Sequence, residues 1–288
     1  MKIAAITMVY RDYWALAQWY RHYGRHLGHK HLYIIAHGED PHLDQLCPRA
    51  QIVTVPRDSL DGFDAYRGKV LNQLRFGLLT MYDWVIQTDA DELICLDPDH
   101  HRSFATLFQA QTAPALFALG MNVVERPGDP KLHKRSAVLN RRGTAVFSGH
   151  YSKAWASRIP LGFARHGIKL SARRAAKRPL TLPRGVYLAH LKYANLAALK
   201  SANHIRTRIS HAPGDHLPGH AWQKPWLQAK TYLARVDVMP DTPWDQAEPA
   251  AHARLIAQPH RDPDRGLLRA ENIAFDQRVT LPDRIRQF

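Results

Sequence analysis

The chain has 288 residues, 45% of them hydrophobic and 23% charged, with 40 Lys and Arg against 25 Asp and Glu. That balance excludes a disordered chain, and no apolar run approaches the ~20 residues of a membrane span. Two cysteines, Cys47 and Cys95, leave no material for a disulfide framework or a Cys-rich metal site.

The N-terminal MKIAAITMVYRDYW runs into Arg11 and Asp12 without the cleavage pattern of a signal peptide, so a cytoplasmic, reducing setting is expected. The net charge of +15 is unevenly spread: residues 1–100 carry −3, residues 101–200 carry +16 and residues 201–288 carry +2. Glu125 and Asp129 are the sole carboxylates of the middle segment. Such a segment predicts an anionic partner: nucleic acid, an anionic membrane surface, or an acidic or phosphorylated glycan.

In chain order, KIAAITMVY (2–10) is a continuous apolar run, as a strand buried on both faces requires. Asp12 is placed to cap a helix from Trp14 to a stop at Gly28. Strands are predicted at 31–37, 51–56 and 83–88, with a polar loop holding Asp58, Asp61 and Asp64 and a helix over 65–82 before the last of them. Strand–helix alternation with short links predicts an α/β fold with a parallel sheet. No G-x-G-x-x-G or P-loop lysine motif accompanies it.

The fourth strand ends in Asp89-Ala90-Asp91-Glu92. Ligands of open α/β sheets bind beyond the carboxyl ends of the strands. Two carboxylates there offer hard oxygen ligands suited to Mg²⁺ or Mn²⁺, with substrate phosphate completing the shell. Arg67 and Lys69 open the preceding helix, where a diphosphate would meet both their charge and the helix N-terminus.

An apolar first strand, an aromatic-rich helix and then DWVIQTDADELICL resemble glycosyltransferase family 2 of the GT-A fold, over about residues 1–125 with weaker echoes to about 205. The resemblance implies a central, mostly parallel sheet flanked by helices. It implies a catalytic domain over 1–210, its nucleotide half at 1–100 and its basic acceptor half at 101–210, followed by a helical, Pro-rich extension over 211–288. Asp89 and Asp91 would hold Mn²⁺ or Mg²⁺ on the diphosphate of a nucleotide sugar, with Glu92 supporting them. Val9, Tyr10 and Arg11 would lie near the base, although this branch often carries an Arg-Asn-Glu-like stretch where the chain reads Arg11-Asp12-Tyr13.

The basic half then fits an anionic glycan or glycolipid acceptor, or the membrane that holds it. A strand over 116–125 ends at Glu125, the residue assigned as base in an inverting transfer. Short strands are predicted near 136–141, 144–147, 151–156 and 166–170. A strand ending at His190 resembles the family's strand-then-His pattern, which implies a third metal ligand there. No H-E-x-x-H spacing appears among the 18 histidines. In the last third, helices are expected at 195–209, 226–236 and 249–257, with Trp222, Trp226 and Trp244 as packing anchors and a partly mobile tail over 276–288.

The expected activity is metal-dependent sugar transfer from a nucleotide sugar to a hydroxyl, in bacterial surface polysaccharide or glycolipid synthesis, at the inner face of the membrane. The alternatives are a basic nucleic-acid-binding protein, which lacks any recognised DNA- or RNA-reading motif, and a metal-dependent phosphoesterase, which needs more clustered Asp and His. No nucleic acid partner is expected.

Overall fold

The computed structural model describes residues 1–60, 62–133, 136–164, 166–211 and 222–288. It is a mixed α/β protein. Strand β1 (Ile3–Val9) shows why its seven residues are all buried: Ile3, Ala5 and Val9 join one apolar cluster, and Ala4, Ile6 and Met8 join another on the opposite face. Helix α1 (Tyr13–Leu27) covers the first face and packs Leu16, Trp19 and Tyr23 into it. Asp12 caps it by accepting from the Ala15 amide, and Gly28 ends it at φ 86°, which an L side chain rarely adopts. Helix α3 (Phe63–Leu78) covers the second face through Leu71 and Leu78.

Strands β2 (Leu32–His37), β3 (Gln51–Val55) and β4 (Trp84–Gln87) run parallel to β1, with the short helix α2 (His42–Leu46) between β2 and β3. The order in this six-stranded sheet is β3-β2-β1-β4-β9-β6, where β6 is Ala115–Phe117 and β9 is Ala154–Ser157. Parallel pairing stops at β4, because β9 joins β4 and β6 antiparallel. Parallel pairing in this sheet is therefore confined to the first ninety residues.

After β4 the chain turns through Asp89-Ala90-Asp91 into β5 (Glu92–Leu96), which belongs to a second sheet. Its order is β15-β8-β7-β12-β5, with β7 Leu119–Val124, β8 Thr144–Phe147, β12 Val186–Tyr193 and β15 Val279–Thr280. The motif thus marks the crossing from one sheet to the other, rather than the end of a single strand. Helix α4 (Phe104–Gln109) follows, and Phe108 stacks on Trp84 at 4.4 Å between centroids. A third, four-stranded antiparallel sheet holds β10 (Phe163–Ala164), β11 (Gly167–Lys169), β13 (His260–Asp262) and β14 (Leu267–Arg269), beside α5 (Ala172–Lys177). The predicted strand near 136–141 is instead a 3₁₀ turn at Val138–Asn140.

Helices α6 (Leu196–Ser210), α7 (Pro225–Val238) and α8 (Trp244–Ala257) complete the chain with α9 (Asp283–Arg286). Residues beyond 210 are woven into the body: β14 pairs with β11, and β15 pairs with β8. The tail is docked rather than loose. Arg284 bonds Asp97 at 2.9 Å, and Phe288 stacks on His26 at 4.2 Å. Trp244 is a buried anchor against Phe147 and Tyr187, whereas Trp226 is 45% exposed and anchors nothing in the core. Among the described residues, no helix is long and apolar enough to cross a membrane.

Candidate active site

A cleft of about 360 Å³ opens where the carboxyl ends of β1 and β4 meet α6 and the end of β12. Val9, Tyr10 and Asp12 line it from β1, Asp89 and Asp91 from the inter-sheet turn, and His190 and Lys192 from β12. Arg206 from α6, and Trp222, close the other side.

Asp91 and His190 form its most specific pair. His190 Nε2 lies 3.3 Å from Asp91 Oδ2, and His190 Nδ1 lies 2.7 Å from Asn122 Oδ1. Strand register sets this up: His190 stands opposite Glu92 on β5 and Asn122 on β7. Tyr151 stacks on the imidazole at 3.7 Å. That stacking needs Gly120 on β7, because a Cβ there would lie 2.2 Å from the Tyr151 carbonyl carbon. Burial pushes His190 below its ordinary pKa, against the pull of Asp91. Burial alone would raise Asp91, but the neighbouring imidazole outweighs it and holds the carboxyl below its ordinary value. Nδ1 shares a hydrogen bond with Asn122, and Nε2 meets the Asp91 carboxylate as its hydrogen-bond partner. With the proton between them displaced, the nitrogen and the carboxylate oxygen would be a donor pair for a divalent cation.

Asp89 has a different fate. Its two oxygens are taken by the Arg67 guanidinium and, at 2.9 Å, by Lys153 Nζ. Burial raises its pKa, but these two cations overcome it and hold the carboxyl well below the usual range. Lys153 also pairs with Glu92 at 2.8 Å, and Glu92 accepts from the Asp89 amide at 3.0 Å. Burial first, then Asp89 and Asp91, raise Glu92 to about 7 against the opposing pull of Lys153. Glu92 is thus the buried brace of the turn. Both Asp89 oxygens are paired with side-chain cations, so Asp89 is not offered to a metal in the way Asp91 is. Among the described residues, no group of three or more His, Cys, Asp or Glu is placed to hold a metal. Asp91 and His190 remain as a two-residue donor set whose shell needs substrate oxygens and water.

Several other expectations move. Val9 and Tyr10 line the cleft, but Arg11 is exposed, adopts φ 53° and lies outside the lining, while its neighbour Asp12 faces in. Burial and the charge of Asp91 raise Asp12 to about 6. Arg67 lines the cleft, whereas Lys69 is exposed and lies on an adjoining groove. Glu125 is outside the cleft. Its carboxylate accepts from the Leu196 amide at 2.8 Å and pairs with the buried Arg142 at 3.1 Å, so it fastens the start of α6.

The sequence reading missed Lys153, Lys192, Arg206 and Arg57. At the far end of the cleft, Arg57 lies 3.5 Å over the Tyr10 ring and bonds His37, which stacks on Phe63. Burial and the nearby Arg206 lower Lys192 to about 8. These cations sit among many others in a basic chain, and no local pattern singles them out.

No family model matches the chain, and no curated protein matches its sequence. Solved structures give distant likenesses. A 4-diphosphocytidyl-2C-methyl-D-erythritol synthase is 14% identical with a TM-score of 0.29, over 47% of this chain and 66% of that one, just under two thirds of its length. Mannose-1-phosphate geranyltransferase from Thermus thermophilus is 12% identical with a TM-score of 0.31, over 98% of this chain and 74% of that one. A CMP:2-keto-3-deoxy-manno-octonic acid synthetase complexed with CTP is 13% identical with a TM-score of 0.28, over 82% of this chain and 99% of that one. Scores near 0.3 establish no common fold, and the chemistry of the cleft stands on its own residues.

Proposed function

We propose that the chain is a metal-dependent glycosyltransferase that moves a sugar from a nucleotide diphosphate donor to a hydroxyl acceptor. The observation that carries this reading is the facing of Asp91 Oδ2 and His190 Nε2, 3.3 Å apart, on a cleft that Lys192 and Arg206 also line. A divalent ion held by Asp91 and His190 would neutralise the diphosphate leaving group. The imidazole donor favours Mn²⁺ over Mg²⁺.

The protein's own residues supply the rest. Lys192 and Arg206 offer positive charge to phosphate oxygens. Arg67, paired with Asp89, stands on the cleft wall. Tyr10 and Arg57 offer a flat, cationic surface for a base. An anionic glycan or glycolipid acceptor fits the excess charge of residues 101–200, and so does a peripheral position on an anionic membrane.

Calorimetric titration with UDP, GDP and dTDP, with Mn²⁺, Mg²⁺ or a chelator, tests the reading. Binding of one diphosphate that strengthens at least ~10-fold with Mn²⁺ supports it, that factor being ~1.4 kcal/mol. Metal-independent binding of all three, or none, removes it. His190→Ala should narrow the difference between Mn²⁺ and Mg²⁺.

A further inference from the structure

Alongside the cleft runs a second, larger groove of about 800 Å³, lined by Lys69, Gln87, Lys153 and Lys169. The two share a wall made of Asp64, Arg67, Asp89 and His166. Arg67 and Asp89 are paired with each other. His166 is therefore the one wall residue that combines an uncharged, proton-accepting side chain with access to both spaces.

Three features single it out. First, its backbone is at φ 66°, and among the described residues only Arg11 shares a positive φ without being glycine. His166 lines the cleft, and strain of this kind collects at functional sites. Second, its tautomer is fixed. Nδ1 lies 2.6 Å from the His150 carbonyl oxygen, which can only accept, so Nδ1 carries the proton and Nε2 carries the lone pair. Nε2 has no hydrogen-bond partner among the described residues. Third, the groove beyond it is equipped for a hydroxylated ligand. Gln87 Oε1 lines it, buried and without a partner among the described residues, where a sugar hydroxyl would satisfy it.

We infer that the second groove takes the acceptor glycan and that His166 Nε2 is the base that receives the acceptor's hydroxyl proton. The inference rests on the transferase reading. The acceptor oxygen forms a bond to the anomeric carbon, and the bond from that carbon to the donor phosphate oxygen breaks. The electron pair leaves with the nucleoside diphosphate, and the hydroxyl proton passes to Nε2, giving an imidazolium. The His150 carbonyl then stabilises that cation through Nδ1–H, as an orienting acceptor does for a catalytic imidazole. Burial, with Lys153 and His150 nearby, holds the free imidazole neutral with a pKa lowered to about 3. A bound diphosphate brings negative charge that raises it toward a useful range. Glu125, committed to Arg142 and α6, leaves this role open.

His166→Gly is the decisive variant, because glycine adopts the positive φ without strain and the fold should survive. Release of nucleoside diphosphate from UDP-, GDP- and dTDP-glucose with Mn²⁺ is measured, water serving as the probe acceptor. A fall of ~100-fold or more in kcat, with diphosphate affinity within ~3-fold of wild type, is expected. Added imidazole should restore part of the rate to His166→Gly, which a structural role would not allow. Unchanged turnover in His166→Gly, or a comparable fall that imidazole does not relieve, overturns the assignment. So does a loss confined to Asp64→Asn, which would move the role to that exposed carboxylate. Nitrogen-15 NMR of the histidines needs no turnover: a proton on Nε2 of His166 overturns the base by itself. A wild-type chain that binds no diphosphate fails earlier, and the transferase reading falls with it.

Discussion

The two halves that meet at Asp89–Asp91 are built differently. Before the turn, parallel strands are covered on both faces by α1 and α3. After it, antiparallel pairs prevail, as β12 with β5 and β15 with β8, with β12 and β7 the parallel pair among them. The first half supplies the carboxylates Asp12, Asp89, Asp91 and Glu92. The second supplies Lys153, His190, Lys192 and Arg206. Part of the +16 excess in residues 101–200 is therefore spent inside the molecule, holding the acidic turn, rather than facing a polyanion.

The largest test of that division is Lys153→Met. Lys153 bridges Asp89 and Glu92, and removing it leaves two carboxylates together with only Arg67 opposite them. Breaking a buried pair from one side costs ~3–5 kcal/mol. A loss of that size in urea denaturation is expected, and a loss below ~1 kcal/mol would show that the halves are not locked by charge.

A smaller effect separates the two aspartates. Asp91→Asn should erase the Mn²⁺-dependent part of nucleoside diphosphate binding, while Asp89→Asn should keep it and lose stability instead. Calorimetry with and without a chelator reads both. The reverse outcome would return the metal to Asp89 and make the Lys153 and Arg67 pairs exchangeable.

How much of this was written locally explains what the sequence could disclose. The run 2–10, the Asp12 cap and the Gly28 stop are local signals, and the structure follows them within a residue or two. Asp91 and His190 each end an apolar run, so both were visible as candidates. Lys153 was not, because its partner Asp89 lies 64 residues away and its surroundings resemble every other basic loop of the segment. The crossing between sheets at the acidic turn was hidden for the same reason: β5 is defined by pairing with β12, nearly a hundred residues on. Glu125 follows a strand, but its carboxylate turns to Arg142 rather than into the cleft, a long-range pairing that position after a strand does not disclose.

Acid probes the seam between α1 and β5. His22 donates from Nε2 to the Ile94 carbonyl at 2.8 Å, and burial, with His26 adding to it, lowers its pKa to about 3. The unfolded chain takes up that proton near pH 6.5, well before the folded one does. Its contribution is present above pH 6.5 and is lost as pH falls toward 3. Stability measured by denaturant midpoint should fall across that window, and His22→Gln should fall less steeply. Parallel curves for the two proteins would assign the acid sensitivity elsewhere.

The smallest effect concerns Glu125, and it decides whether the second half supplies chemistry or only support at that point. Its carboxylate accepts from the Leu196 amide and pairs with Arg142, whose guanidinium also donates to the Ala194 and Pro130 carbonyls at 2.7 and 2.8 Å. Glu125→Gln keeps the amide bond to Leu196 through its side-chain oxygen and loses only the charge. Arg142 retains its three carbonyl partners, that of Arg141 included, so the cost should stay near ~1 kcal/mol in urea denaturation. Release of nucleoside diphosphate from a sugar nucleotide should be unchanged within ~2-fold, since general-base loss is worth ~100-fold or more. A fall of that larger size, at unchanged nucleotide affinity, would restore Glu125 as the base and displace His166. An unchanged rate with slightly lower stability would leave Glu125 as the fastening of α6, the helix that carries Arg206 to the cleft.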